Sequence, residues 1–588
     1  MNGTIQLNSL DHYFAEFIKG QDSVPSDELW LAAALVSAES GQGHICLDLA
    51  SVSGREIVPF LPSSTQLRVP ETVAWIKALS FCNTVGKPGE YKPLILDDSG
   101  RLYLYRSWNY ERSVADSLIS KATGIVETAD LPLNLLEKFF QTVSGIEDKQ
   151  RAAAVAALSG RLTVISGGPG TGKTSTVARI LALLLEQGAD RNLQISLAAP
   201  TGKAASRLRQ SILQSIQQLP LDETMRAQMP HDVKTIHRLL GVVSGSSNFR
   251  YNKANPLACD VLVVDEVSMV DLPLMSKLLD ALRHDCRVIL LGDQDQLASV
   301  EAGAVLADIC NSGTERRLDS QSGAENTRLS GPIAGAVVNL TKSYRFGDES
   351  GIGNLSRLVN TGAGDAAFEM LAGGLKPDLV WKPLPPPQQF EAEFSTAVKT
   401  GYGEYVAAAT AERALEILDE FRIVSPYREG VYGVESLNRL VLLALGMRKP
   451  EGQTACNRMP IMVSGNNYEL GLFNGDTAVL MQNETDKRLM ACFAEPASGI
   501  RHVSALRLPP FEPAFALTVH KSQGSEFDKV LLIIPEMDSE ILTRELIYTA
   551  VTRAKKQVEI WCSREMFCRA VDRRIIRSSG LRERLWGV

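Results

Sequence analysis

Short runs of apolar, partly β-branched residues recur along the middle of the chain at 162–166, 194–199, 261–264 and 287–291, with amphipathic helical stretches between them. Buried strands alternating with helices predict βαβ units on a parallel sheet. The same rhythm returns later, at 422–425, 514–518, 530–534 and 557–561, and predicts a second α/β unit. Between 459 and 508 the runs are shorter and broken by turns such as Asn474-Gly475-Asp476, as in a small β insertion. The first stretch mixes strand-like runs (44–50, 93–96, 101–106) with helical ones (28–38, 110–122) and carries no catalytic pattern. The polar segment 311–332 reads as a loop, and the prolines and glutamines of 382–389 mark a break.

At 588 residues the chain exceeds a single hydrophobic core. The pattern divides it into an N-terminal α+β domain over 1–140, a first α/β lobe over 141–340, and a second over 341–588 that carries the β insertion at about 459–510. Apolar residues make up 45% and charged residues 22%, an ordinary globular balance without a long uncharged apolar run, so no membrane span is expected. No secretory leader is expected from the first residues. The nine cysteines are scattered with no CxxC pair, which fits a reduced, cytoplasmic setting and argues against a zinc ribbon, an iron–sulfur site or a disulfide framework. The net charge of −7 lends no support to binding of a nucleic acid by the chain as a whole, so such binding must rest on a local basic lining.

Candidate chemistry begins where the first strand ends. Gly167-Gly168-Pro169-Gly170-Thr171-Gly172-Lys173-Thr174 follows strand 162–166 and opens a helix, the strand–loop–helix setting of a P-loop. Glycines let successive N–H groups curl toward an anion at the helix N-terminus. Lys173 is expected to reach the β and γ phosphates of ATP, and the Thr174 hydroxyl to ligate Mg²⁺. A neighbouring strand, 261–264, runs into Asp265 and Glu266. Asp265 is the candidate for holding Mg²⁺, and Glu266 for the base that polarises the attacking water. Together these elements predict nucleotide hydrolysis but leave open what it drives.

Further segments narrow the class. Gln150 stands just before the first strand, placed to pair with an adenine edge. Pro200-Thr201-Gly202-Lys203 follows the second strand, at the edge where α/β sheets bind ligands. Gly292-Asp293-Gln294-Asp295-Gln296-Leu297 closes the fourth strand and puts Gln296 against the γ phosphate. Late in the chain come Thr518-Val519-His520-Lys521-Ser522-Gln523-Gly524-Ser525-Glu526 and Tyr548-Thr549-Ala550-Val551-Thr552-Arg553. Taken singly, Arg345 and Arg553 read as solvated charges and Tyr344 and Tyr548 as core aromatics; it is the ordered set that carries meaning.

This order, from Gln150 through Arg553, resembles superfamily 1 helicases, and its wording is similar to the RecD-type alpha subunits of bacterial exodeoxyribonuclease V (the RecBCD enzyme). Leu31-Ala32-Ala33-Ala34-Leu35-Val36-Ser37, Gly43-His44-Ile45-Cys46-Leu47-Asp48-Leu49 and Leu102-Tyr103-Leu104-Tyr105-Arg106 resemble that subunit's N-terminal domain. The resemblance implies two RecA-like P-loop lobes, an SH3-like β insertion and a 5′→3′ DNA helicase motor acting on DNA ends in double-strand-break repair. It implies that Arg345, within Lys342-Ser343-Tyr344-Arg345-Phe346, and Arg553 reach the γ phosphate from the second lobe, and that Glu526 contacts the ribose. Pro200, Thr201, Lys203, Thr235, His237, Thr518 and His520 are then expected to line a single-stranded DNA track. The implied partners are the beta and gamma subunits, with the N-terminal domain docked on gamma. No nuclease metal cluster is recognisable; Glu391, Glu393 and Glu404 read as a helix or loop face, which would leave cleavage to a partner.

Two alternatives stay open on the residues alone. A stand-alone RecD-like helicase is disfavoured because such proteins usually carry a longer N-terminal extension with helix-hairpin-helix repeats. A nucleotide-gated assembly or clamp protein would share every site residue and differ only in not separating strands. A relaxase helicase is disfavoured, since nothing up to Phe140 resembles a paired-histidine site with a nucleophilic tyrosine.

Overall fold

The computed structural model describes residues 5–58, 67–124, 133–140, 148–188, 192–243, 245–312, 331–347, 349–448, 455–467, 469–483, 487–495 and 499–587. Most of the expected loop 311–332 lies outside them.

The first lobe is built on a six-stranded sheet in the order Val233–Thr235, Ile195–Ala199, Val261–Val264, Arg287–Gly292, Leu162–Gly167, Val337–Leu340. Every neighbouring pair is parallel. Alternation along the strands sends side chains to both faces, and helices cover both, which is why these strands read as continuous apolar runs. Val261, Val263, Ile289 and Leu291 pack with the helices Lys149–Ser159 and Lys173–Gln187. Leu262, Val264, Val288 and Leu290 pack on the other side with Leu272–Asp280 and Tyr105–Thr123.

The second lobe repeats the plan with five parallel strands, in the order Leu379–Lys382, Ala554–Trp561, Phe527–Ile533, Phe421–Ser425, Ala516–Thr518. The β insertion is a five-stranded antiparallel sheet, in the order Gly499–Ser504, Leu489–Glu495, Thr477–Gln482, Pro460–Val463, Phe511–Pro513. Its inner face (Ile461, Val463, Leu480, Phe493) shares one core with Ile423, Leu531 and Trp561 of the lobe. The insertion is therefore packed onto the lobe rather than hung from it.

The N-terminal domain is α+β, with a four-stranded and a three-stranded sheet around the buried helix Asp27–Gly41. Two expected strands are shorter than their patterns suggested: the run 101–106 is strand only to Leu104, and 44–50 only over Cys46–Asp48, with a helix following each. The helix Tyr105–Thr123 puts Trp108, Val114, Ala115 and Leu118 into the first lobe's core. The helix Leu581–Trp586 also packs there. Buried Glu111 holds it: Glu111 accepts from the Gly580 N–H (2.8 Å) and pairs with Arg584 (3.1 Å). Just upstream, Ser578 exchanges main-chain and His44 hydrogen bonds with the N-terminal domain.

Candidate functional site

The strand Leu162–Gly167 stops where the chain must turn back into the helix Lys173–Gln187. Gly170 (φ +74°) and Gly172 (φ +81°) make that turn in the left-handed region, where other residues are strained. There is also no room: a Cβ on Gly170 would lie 2.3 Å from Arg345 Cβ, and one on Gly172 would lie 2.6 Å from Gln150 Nε2. Lys173 curls over the loop, donating to the carbonyls of Gly167 (2.5 Å) and Gly168 (3.2 Å). Thr171 ties back to Gly168 O at 2.9 Å, and Thr174 stands on the helix's first turn. Gln150 lies inside the helix Lys149–Ser159, where its amide donates to Thr171 O (3.2 Å) and accepts from Arg179 (3.2 Å), so it braces the loop.

Asp265 and Glu266 end the strand Val261–Val264. Glu266 adopts φ +53°, an uncommon conformation for a non-glycine residue, and its N–H donates to Asp265 Oδ1 at 2.8 Å. Burial and the adjacent Glu266 push the Asp265 carboxyl up to about 6, against the pull of Lys173. One strand over, Asp293 and Gln296 are buried beside the P-loop, and burial raises Asp293 while Lys173 opposes it.

The second lobe closes over this edge. Ser343 donates to Pro169 O (3.1 Å) and the Tyr344 N–H to Gly170 O (2.7 Å), which lays the 341–346 segment along the P-loop. Arg345 pairs with Glu526 at 2.7 Å, and Arg207 of the first lobe pairs with the same carboxylate oxygen. Although burial opposes it, these two guanidinium groups hold Glu526 down at about 2. Arg553 is buried and spends its donors on main-chain carbonyls, Thr549 O (3.0 Å) and Ser525 O (3.2 Å), while burial lowers its pKa. Tyr548 reaches across to Asp293, and Thr549 and Gln523 grip Leu297. Lys173, Asp265, Glu266, Gln296, Arg345 and Arg553 thus gather around one cleft. Arg207, Asp293, Gln523 and Tyr548 join them without having been anticipated. For Arg207 the available signal was its four-residue spacing from Lys203, which places both on one helix face; for Tyr548 it was position within the arginine's own segment.

The expected DNA-track residues are more dispersed. Pro200 leads from the second strand into Thr201, which N-caps the helix Gly202–Gln218 by accepting from the Ala204 N–H (3.2 Å). Thr235 is buried and caps Ile236–Leu240 in the same way through the Arg238 N–H (3.2 Å). Lys203 places its ammonium 5.6 Å over the Phe527 ring, and burial beside Arg422 pushes it down to about 8. His237 is exposed, edge-on to Phe249 at 5.7 Å. His520 is half-buried, with burial and Arg577 lowering its pKa. Thr518 accepts from the Lys521 N–H (3.2 Å) and lies on the wall of a groove of about 850 Å³ that also exposes Arg428, Arg439 and Arg448. The β insertion meets this region: Arg238 lies 5.2 Å over the Phe473 ring, and a Cβ on Gly202 would come within 3.1 Å of Asp476. Among the described residues no three His, Cys, Asp or Glu gather in a metal-holding group, and no helix is long and apolar enough to cross a membrane.

Three family models match separate parts of the chain: the RecBCD enzyme subunit RecD N-terminal domain over 4–103, an AAA domain over 150–302, and a UvrD-like helicase C-terminal domain over 513–560. The chain is 38% identical to the RecBCD enzyme subunit RecD of Mycolicibacterium smegmatis, covering 98% of this chain and 97% of that protein. It is 32% identical to the subunit of the same name from Haemophilus influenzae, again over 98% and 97%. An ATP-dependent RecD2 DNA helicase of Deinococcus radiodurans is 30% identical over 70% of this chain but only 48% of its own length.

Proposed function

Because the chain belongs to the RecD family of RecBCD enzyme subunits, we propose that its cleft burns ATP to drive 5′→3′ movement along single-stranded DNA, unwinding DNA ends within a RecBCD-type enzyme during recombinational repair. The observation that carries this reading is the split of the site between two lobes. The P-loop, Asp265, Glu266 and Gln296 come from the first sheet, Arg553 directly precedes the strand Ala554–Trp561 of the second, and Arg345 lies in the segment that leads from Val337–Leu340 into the second lobe. Positive charge delivered across a cleft stabilises the transition state only when the cleft is closed, so turnover and lobe motion are tied together. Lys173 leaves its loop carbonyls for the β and γ phosphates, Glu266 accepts a proton from the attacking water, and Gln150 supports the loop beneath the base. Glu526 exchanges one of its arginines for the ribose.

The donor set fits Mg²⁺: a hydroxyl at Thr174 and a carboxylate at Asp265 are hard oxygen ligands. Held there, the ion would neutralise charge building on the phosphates. The track is proposed to run over Pro200, Thr201, Lys203, Thr235 and His237 of the first lobe to Thr518 and His520 of the second, with the β insertion as an SH3-like wall. The beta and gamma subunits are the proposed partners, gamma at the N-terminal domain. What favours a subunit over a self-sufficient helicase is the extent of likeness: 97% of each RecBCD subunit is covered, against 48% of the RecD2 helicase.

Steady-state ATP hydrolysis by the full chain, with and without single-stranded DNA, tests the reading. Stimulation by DNA that disappears in Lys173→Gln, with the unfolding midpoint unchanged, is expected, because the Lys173 ammonium contacts only two loop carbonyls. Duplexes with 5′ and 3′ tails then read polarity. Hydrolysis indifferent to DNA, in the free chain and with its partners, would overturn the motor in favour of a nucleotide-gated clamp.

A further inference from the structure

The cleft contains a hydrogen-bond relay that none of the roles above uses. Asp293, at 1% exposure, accepts on one oxygen from the Tyr548 hydroxyl (2.9 Å) and from Gln296 Nε2 (3.1 Å), and its other oxygen accepts from the Asp295 N–H (3.1 Å). Tyr548 belongs to the helix Arg544–Val551 of the second lobe, so this bond crosses between lobes. Its hydroxyl also lies over the P-loop: a Cβ on Gly168 would be 3.0 Å from it. The same stretch is gripped from the second lobe at three more points. Thr549 Oγ1 accepts from the Leu297 N–H (2.8 Å), Gln523 donates to Leu297 O (2.8 Å), and Asn360 donates to Asp295 (3.1 Å).

A carboxylate only accepts, so the side of the Gln296 amide that meets Asp293 must be its NH₂. The amide oxygen is thereby turned away, and it is buried with no partner among the described residues. A buried, unsatisfied acceptor at the rim of a phosphate cradle is costly unless a ligand fills it. A γ-phosphate oxygen offers no proton to it; a water does.

We propose that Tyr548 and Asp293 are positioning residues that lock Gln296 with its amide oxygen toward the attacking water, and that the lock engages only when the second lobe brings Tyr548 onto Asp293. This rests on the ATPase reading and refines it. Gln296 becomes a water-orienting acceptor rather than a γ-phosphate donor, and lobe closure reaches the water through Tyr548 in addition to the arginines. With the lobes apart, Asp293 loses one of the two donors on its shared oxygen and Gln296 is free to turn.

A double-mutant cycle on the full chain, in saturating single-stranded DNA, reads this directly. Tyr548→Phe removes one hydroxyl and is expected to lower kcat about tenfold, the effect of one hydrogen bond, with KM for ATP changed less than about twofold. In a Gln296→Ala background the same change should cost nothing further, because the hydroxyl acts only through that amide. A loss that multiplies in that background, a rise in KM with kcat unchanged, or a Gln296→Ala variant turning over at the wild-type rate would overturn the relay. If Tyr548→Phe melts below the assay temperature, Asp293→Ala serves in its place: it removes the oxygen that accepts from both Tyr548 and Gln296, and should show the same loss and the same non-additivity. Lys173→Gln separates the levels. If it is inactive, any of the overturning results sinks the relay and leaves the ATPase reading standing; if it turns over like wild type, both fall.

Discussion

Glu526 is where the two lobes meet through a single oxygen, with Arg345 on one side and Arg207 on the other. Its carboxyl sits near 2 instead of the ordinary 4.5, so the ionised form is the one the closed arrangement prefers. A depressed carboxyl contributes its stability above the unfolded value and loses it as pH falls toward the folded one. Glu526→Gln should therefore be less stable than wild type by about 3 kcal/mol at pH 7, with the gap closing between pH 4.5 and 2. Denaturant unfolding of both proteins at pH 7 and pH 3 checks this, and an unchanged gap would exclude the carboxylate as its source. Glu526 and Arg345 were legible because each stands in a recognisable run of residues. Arg207 was less so: it lies mid-helix, and its four-residue spacing from Lys203 is the one local feature that sets it apart from Arg209. Only the approach of a distant carboxylate gives it a role.

The parallel strands were legible because burial on both faces writes them as uninterrupted apolar runs, as in Val261–Val264. Their ends were less so, since Tyr105 follows Leu104 without a break in pattern while the backbone changes from strand to helix. Packing of Trp108 against the first lobe decides that boundary, and a distant surface of that kind leaves no mark on the local sequence. Thr201 shows how one residue serves at two levels. Its hydroxyl caps the helix Gly202–Gln218 whether or not it also touches DNA. Thr201→Ala should cost about 1 kcal/mol of stability. Thr201→Asp keeps the cap and adds a negative charge, so stability should be retained while single-stranded DNA affinity, measured by fluorescence anisotropy, falls about tenfold. Unchanged affinity in Thr201→Asp would leave Thr201 a cap alone.

The division into a leading domain and two lobes was visible from alternating patterns, but contacts that stitch these parts together were not. Phe473 and Asp476 of the insertion reach the first lobe, and Leu581–Trp586 returns to the helix Tyr105–Thr123. Both pairings join residues hundreds of positions apart, where spacing holds no information. The return of the last helix is testable through Glu111, which is fully buried and depends on Gly580 and Arg584. Removing residues 580–588 takes Gly580 and Arg584 from that carboxylate, leaving it Tyr103 and Ser579, and should destabilise the protein by about 3 kcal/mol. Adding Glu111→Leu to the shortened chain should restore part of the loss, seen as a rise in its unfolding midpoint; no recovery would mean that packing of Trp586, and not the stranded charge, dominates.

That same clasp sets a timetable for synthesis. Glu111 leaves the ribosome 473 residues ahead of Arg584. At roughly 5–20 residues per second, the interval is about half a minute to a minute and a half. Throughout it, the groove that will receive Leu581–Trp586 stands open, with Trp108 and a carboxylate lacking its cation at its floor. Until then the first lobe's core lacks the helix that completes it.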